Sequence, residues 1–202
     1  MEMSSNLTAI QLKIVEAAGP LFADLGYEIV SVREIASVAD VHFSSINYHF
    51  GTKEHLYECV LRHAASCGEL DEFIRETSDN MDDPVGQLRE LAWHMLLDYV
   101  EGPTDNWASR LLSREMMKSS KFSDILREIW DAPLRFVAAR LAKPGEMESS
   151  PDRALFRACC FFILLDQLGQ SRELMGHFMG HDIAPEWMLE EFMANFVPRD
   201  GR

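Results

Sequence analysis

The chain has no apolar run long enough to cross a bilayer: its longest, Ala158 to Leu165, is eight residues between Arg157 and Asp166, against the roughly 20 a spanning helix needs. The opening MEMSSNLT has neither a basic region nor an apolar core, so no secretion signal is read and a cytoplasmic location is expected. Cysteine is sparse: Cys59, Cys67, Cys159 and Cys160 form no CxxC pair and no zinc-finger spacing, which points to reduced thiols rather than a disulfide framework. No glycine-rich phosphate loop is present, and histidines and carboxylates fall on separate predicted helices without nucleophile and base spacing; the chain is expected not to be an enzyme and to need no cofactor. Period-two strand patterns are missing throughout. Positive charge is scarce as well, since 19 Lys and Arg face 33 Asp and Glu for a net charge of −14.

What is present is helical periodicity over 202 residues with 47% hydrophobic content, enough for one or two packed units. The stretch Ser31 to Lys53, SVREIASVADVHFSSINYHFGTK, organises the rest. Val32, Ile35, Ala36 and Ala39 recur at i, i+3, i+4 and i+7, and Ser31 with Glu34 forms a capping box, so a short helix starts at Ser31 with one apolar face. A second opens near Phe43, with Ile46 and Phe50 inward and His42, Phe43, Ser44, Ser45, Asn47 and Tyr48 outward. An exposed face of hydroxyls, an amide and aromatics suits a DNA groove and its phosphates; an ordinary helical hairpin would share the patterning.

Before this pair, Ile10, Ile14, Ala17, Leu21 and Leu25 form a helical stripe capped by Gly26, with a kink or local irregularity expected at Gly19-Pro20. After it, Thr52 caps a helix from Lys53 to about Ala65, and further helices are predicted at roughly 85–101, 104–117, 121–142, 151–175 and 185–196. The fold class is therefore all-α.

Residues 10 to 57 resemble the N-terminal domain of the TetR/AcrR family of transcriptional regulators. The resemblance rests on IQLKIVEAAGPLFADLGYE at Ile10 to Glu28, SVREIA at Ser31 to Ala36 and INYHFGTKEHLY at Ile46 to Tyr57. It implies a helix-turn-helix DNA-binding domain at 1–56, a helical ligand-binding and dimerisation domain at 57–202, and a homodimeric repressor of operator DNA answering to an unidentified small molecule. The candidate DNA-facing set is Ser31, Arg33, His42, Phe43, Ser44, Ser45, Asn47, Tyr48, His49 and Lys53, with Lys53 matching a lysine that touches phosphate in the family. Asn47 stands where a tyrosine is common and Phe43 where a polar or basic residue is common. A phenylalanine there can pack on a thymine methyl, which predicts preference for T.

The charge balance opposes tight DNA binding. Residues 1–56 hold three basic side chains (Lys13, Arg33, Lys53) and seven acidic ones (Glu2, Glu16, Asp24, Glu28, Glu34, Asp40, Glu54), where a DNA-binding unit usually concentrates cations. A rival reading is a helical small-molecule, metal or redox sensor, or a protein-interaction module, with weak or lost DNA binding. The row His55, Cys59, His63 and Cys67 recurs every fourth residue, but it drifts around the helix and cannot close one tetrahedral site, so no metal is expected.

In the second half, methionine and aromatic residues could enclose an adaptable pocket. Trp93, His94, Trp107, Arg114, Met117, Trp130, Phe162 and Asp166 are its candidate lining. Most such residues serve as core in any helical protein. In the resembled family the last two long helices build a dimeric four-helix bundle, which nominates Phe161, Leu165, Leu168, Leu189, Phe192 and Phe196 as interface.

Overall fold

The computed structural model describes residues 7–66, 70–77, 81–100, 106–117 and 120–197, and every regular element among them is helical. Among the described residues twelve helices follow one another: α1 Ala9–Leu25, α2 Val32–Val38, α3 Phe43–Phe50, α4 Lys53–Ser66, α5 Leu70–Thr77, α6 Pro84–Val100, α7 Trp107–Met116, α8 Ser123–Leu141, α9 Glu146–Ser149, α10 Pro151–Gln170, α11 Arg172–Met179 and α12 Pro185–Phe196. No described helix is long and apolar enough to cross a membrane. The chain divides into two compact units, one of residues 1–68 and 104–129, the other of residues 69–103 and 130–202.

In the first unit the predicted start and stop signals act as written. Ser31 accepts from the Glu34 amide while Glu34 accepts from the Ser31 amide, and Thr8 with Gln11 does the same for α1. Gly26 and Gly51 end α1 and α3 at φ 82° and 71°, a backbone region open to glycine without steric cost. Thr52 accepts from the His55 amide at 3.1 Å and so starts α4. Ile14, Val15, Ala18 and Phe22 of α1, Ile35 and Ala36 of α2, Ile46 and Phe50 of α3, and Leu56, Tyr57, Val60 and Leu61 of α4 share one buried core with Leu111 and Phe122.

Gly19-Pro20 does not end α1, which continues through Pro20 to Leu25. Gly19 has a different use. An ideal Cβ built on it would lie 2.5 Å from the Trp107 ring, so only glycine lets α7 approach α1 this closely. Arg114 completes the contact by donating to the carbonyls of Ala23 and Asp24, both at 3.0 Å, and of Leu25 at 3.4 Å. A cation there answers both the unpaired carbonyls and the negative end of the helix dipole. Trp107 and Arg114, nominated for an effector pocket, are thus engaged with α1 inside the first unit, and Met117 of the same segment is exposed.

The second unit is held by Leu88, Leu91 and Leu96 of α6, Phe136 and Val137 of α8, Phe161, Phe162 and Leu165 of α10, and Met188, Phe192 and Met193 of α12. Arg140 is buried among them and fully engaged. It donates to Gln87 Oε1 at 2.6 Å, Phe136 O at 3.1 Å and Thr77 O at 2.8 Å, and lies 3.4 Å from the centroid of the Phe136 ring; burial lowers its pKa. The helix expected at 151–175 stops at Gln170, and α11 begins after Ser171. The turn is fixed by Arg172, whose Nε donates to Ile183 O at 2.7 Å.

The nominated interface residues lie inward. Phe161 and Leu165 are fully buried, Leu189 and Phe192 are buried, and Leu168 and Phe196 are half-buried against the same core. The apolar side chains that α10 shows to solvent are Phe156, Ile163 and Leu164, at 69%, 41% and 46% exposure.

Candidate nucleic-acid interface

The turn between α2 and α3 is tight because Asp40 takes a left-handed conformation, φ 47°, which Asp tolerates better than most residues. Lys13 of α1 donates to the Asp40 carbonyl at 3.3 Å, and the Val41 amide returns to Ala36 O at 3.0 Å. His42 then caps α3. Its Nδ1 accepts from the Ser44 amide at 3.4 Å and lies 2.7 Å from Ser44 Oγ, so the two side chains hold each other at the start of the helix.

With Ile46 and Phe50 buried, α3 turns His42, Phe43, Ser44, Asn47 and Tyr48 outward, while Ser45 and His49 are half-buried. Tyr48 is 85% exposed and Phe43 44%. Two large aromatics therefore stand open to solvent on one short helix. Ser31 is exposed but occupied as the cap of α2, and Arg33 is exposed in that helix's first turn. Glu34, beside it, is held below its ordinary carboxylate range by the Ser31 backbone hydrogen bond and then the Ser31 side chain.

Lys53 opens α4 half-buried. Its ammonium lies 4.4 Å from the centroid of the Tyr27 ring and donates to Glu28 O at 3.5 Å. The structure therefore brings the ten DNA-facing candidates to α2, α3, their connecting turn and the start of α4. Sequence reasoning missed Lys13, Tyr27 and Lys121 as supports of this face. Lys121 is 94 residues from the Tyr27 hydroxyl it donates to, and no local pattern could have paired them.

The first unit matches "Bacterial regulatory proteins, tetR family" over residues 14–60. No curated protein matches the sequence. Solved structures similar in fold to this chain include AibR in complex with isovaleryl coenzyme A and operator DNA, TM-score 0.68 at 16% identity over 94% of this chain and 98% of that one. The fatty acid degradation regulator FadR from Bacillus halodurans gives 0.68 at 15% identity over 95% and 96%, and the Hemolysin II transcriptional regulator HlyIIR gives 0.67 at 19% over 94% and 98%. At these identities the likeness is one of fold.

The remaining candidates are placed elsewhere. Trp93, His94, Trp130, Phe162 and Asp166 all belong to the second unit. There Trp130 meets Phe162 edge to face at 5.1 Å, His94 lies 6.0 Å from the Phe73 ring, and Asp166 accepts from Tyr99 Oη and, at 2.7 Å, from Gln170. In the row on α4, Cys59 Sγ is 3.9 Å from His55 Nε2, whereas His63 is bonded to Glu16 at 2.6 Å. Burial, and then the neighbouring Glu58, pushes the Cys59 thiol up, away from the thiolate a metal would need. Cys67 lies outside the described residues, and among the described ones no three His, Cys, Asp or Glu group to hold a metal.

Proposed function

We propose that the chain is a ligand-responsive transcriptional regulator that binds operator DNA as a homodimer, with α3 in the major groove. The exposure of Tyr48 and Phe43 on a helix capped and buried along its other side carries this reading, since such a face gains from apolar contact with bases and phosphate hydrogen bonds. Two reading heads related by a dimer axis would meet half-sites about one helical turn, ~34–36 Å, apart.

The proposed dimer surface is the outer face of α10, with Phe156, Ile163 and Leu164, together with Trp187 of α12, 46% exposed. The proposed effector site lies in the second unit and retains Trp93, His94, Trp130, Phe162 and Asp166. Its motivation is the buried Trp130 Nε1, which meets no acceptor; an unpaired indole N–H costs roughly 1–3 kcal/mol, and a ligand carbonyl or carboxylate would recover it. AibR, similar in fold, is seen with isovaleryl coenzyme A, which makes acyl compounds the first to test. Occupancy would stabilise one arrangement of the reading heads over another, raising or lowering DNA affinity by its differential affinity for the two.

The second reading, a helical sensor with weak or lost DNA binding, is favoured by the net charge of −14. Mobility shift with genomic fragments upstream of the gene separates the two. Retention of a discrete fragment, lost in Tyr48→Ala, supports the regulator; a folded wild type that retains no fragment supports the sensor.

A further inference from the structure

The first turn of α4 sets Lys53 beside Glu54. A lysine meant for a DNA phosphate thus carries a carboxylate as its neighbour, in a domain already short of cations. The structure answers with a residue from beyond α7. Lys121 forms an ion pair with Glu54, donates to Tyr27 Oη at 3.3 Å, and places its ammonium 4.3 Å from the Tyr27 centroid, the ring that Lys53 also approaches.

Neither partner is loose. The Tyr27 ring is braced by Tyr57 at 5.1 Å and Phe122 at 5.0 Å. Lys121 is fixed by the burial of its neighbour Phe122, 3% exposed, and by a turn in which the Ser123 amide donates to Ser120 O at 3.1 Å. The Glu54 hydrogen bond, followed by that to Tyr27, holds the Lys121 ammonium above its ordinary range, so it is charged whenever DNA is present. The pair is close to half exposed, 47% and 49%, and exposed ion pairs add little to stability. Their effect on an incoming phosphate is larger, because an unpaired Glu54 would repel it within the screening length of about 10 Å.

We propose that Lys121 is a positioning residue for DNA binding: by pairing with Glu54 and sharing the Tyr27 ring, it clears the carboxylate from the path of the phosphate that Lys53 meets. This rests on the DNA-binding reading above. The probe is a duplex of about 30 base pairs enriched by the wild-type protein from a random pool. Lys121→Met is expected to bind it about tenfold more weakly at about 50 mM salt and with a much smaller deficit at about 200 mM, with an unchanged melting temperature. Lys121→Arg should keep wild-type affinity, and Glu54→Gln should restore the Lys121→Met protein to within about threefold of wild type.

Charge rescue and salt dependence would not accompany a purely structural role. Lys121→Met binding as well as wild type, or a double variant no better than Lys121→Met alone, overturns this proposal and leaves the DNA-binding reading standing. A wild type that enriches no duplex overturns both.

Discussion

Gly19→Ala adds one methyl group at the closest approach of α1 and α7. Its Cβ would stand 2.5 Å from two Trp107 ring carbons and 2.6 Å from a third, about 1 Å inside normal contact. Alanine is the better helix former by ~1 kcal/mol, so propensity alone predicts stabilisation. Overpacking a fitted contact costs about 1–3 kcal/mol, and the methyl also meets the Pro20 ring, which disfavours a helical residue before it. The net is a loss of about 1–2 kcal/mol, a fall of roughly 2–8 °C in the melting temperature of a chain this size followed by far-UV circular dichroism. A double-mutant cycle separates the causes. Trp107→Ala alone should destabilise by about 3 kcal/mol, but in its background the clash is gone, and Gly19→Ala should cost at least ~1 kcal/mol less than in wild type. An equal cost in both backgrounds would place the penalty at Pro20 and refute the close-approach reasoning. A gain in stability from Gly19→Ala in wild type would refute it more directly.

Phe156→Glu and Ile163→Glu should shift a micromolar sample to monomer in sedimentation velocity with the melting temperature little changed, whereas Phe192→Glu, placed in the core, should unfold its unit. Arg157, and then the Lys143 amide, lowers the Glu146 carboxyl from its ordinary 4.5 to about 2. A depressed folded pKa gives stability that is complete above 4.5 and is lost as pH falls through about 2; wild type should melt above Glu146→Gln at neutral pH, and the gap should close toward pH 2. Lys53→Ala should weaken binding to all duplexes and lower the salt slope by about 0.9 per head, about 1.8 for the dimer, while Phe43→Ala should relax preference at one position per half-site, both read by titration against a variant library.

The helices were legible because their signals are local. Capping at Ser31 and Thr52, the glycine stops and the spacing of Ile35, Ala36, Ile46 and Phe50 each need only a few neighbouring residues, and a short helix obeys them wherever it is packed. Partners distant in the chain were not legible. Gly19 signalled an irregularity that proved to be room for Trp107, whose partner lies 88 positions away in the sequence. Trp107 and Arg114 looked like pocket residues because composition alone cannot tell a ligand contact from the capping of another helix. On α10 the local pattern did not tell one face from the other. Phe161, Phe162 and Leu165 point inward and Phe156, Ile163 and Leu164 outward, so between Arg157 and Asp166 the helix is apolar all round, and a stretch without a polar face gives no sign of which side meets its own core.

The scarcity of cations bears on how such a domain could select DNA. On the proposed reading, the cations near the groove are Arg33, Lys53 and, through its pairing with Glu54, Lys121. If about two phosphates are neutralised per head, the salt slope of a dimer is about −3.6, shallow beside proteins that make many such contacts. Phosphate contacts supply nearly all affinity for random DNA, whereas hydroxyl, amide and aromatic contacts from α3 depend on the bases beneath them. An acidic body around a lightly charged reading head therefore weakens nonspecific retention more than operator binding. On that reading, the charge balance that seemed to argue against DNA lowers background occupancy, and specificity then rests on α3.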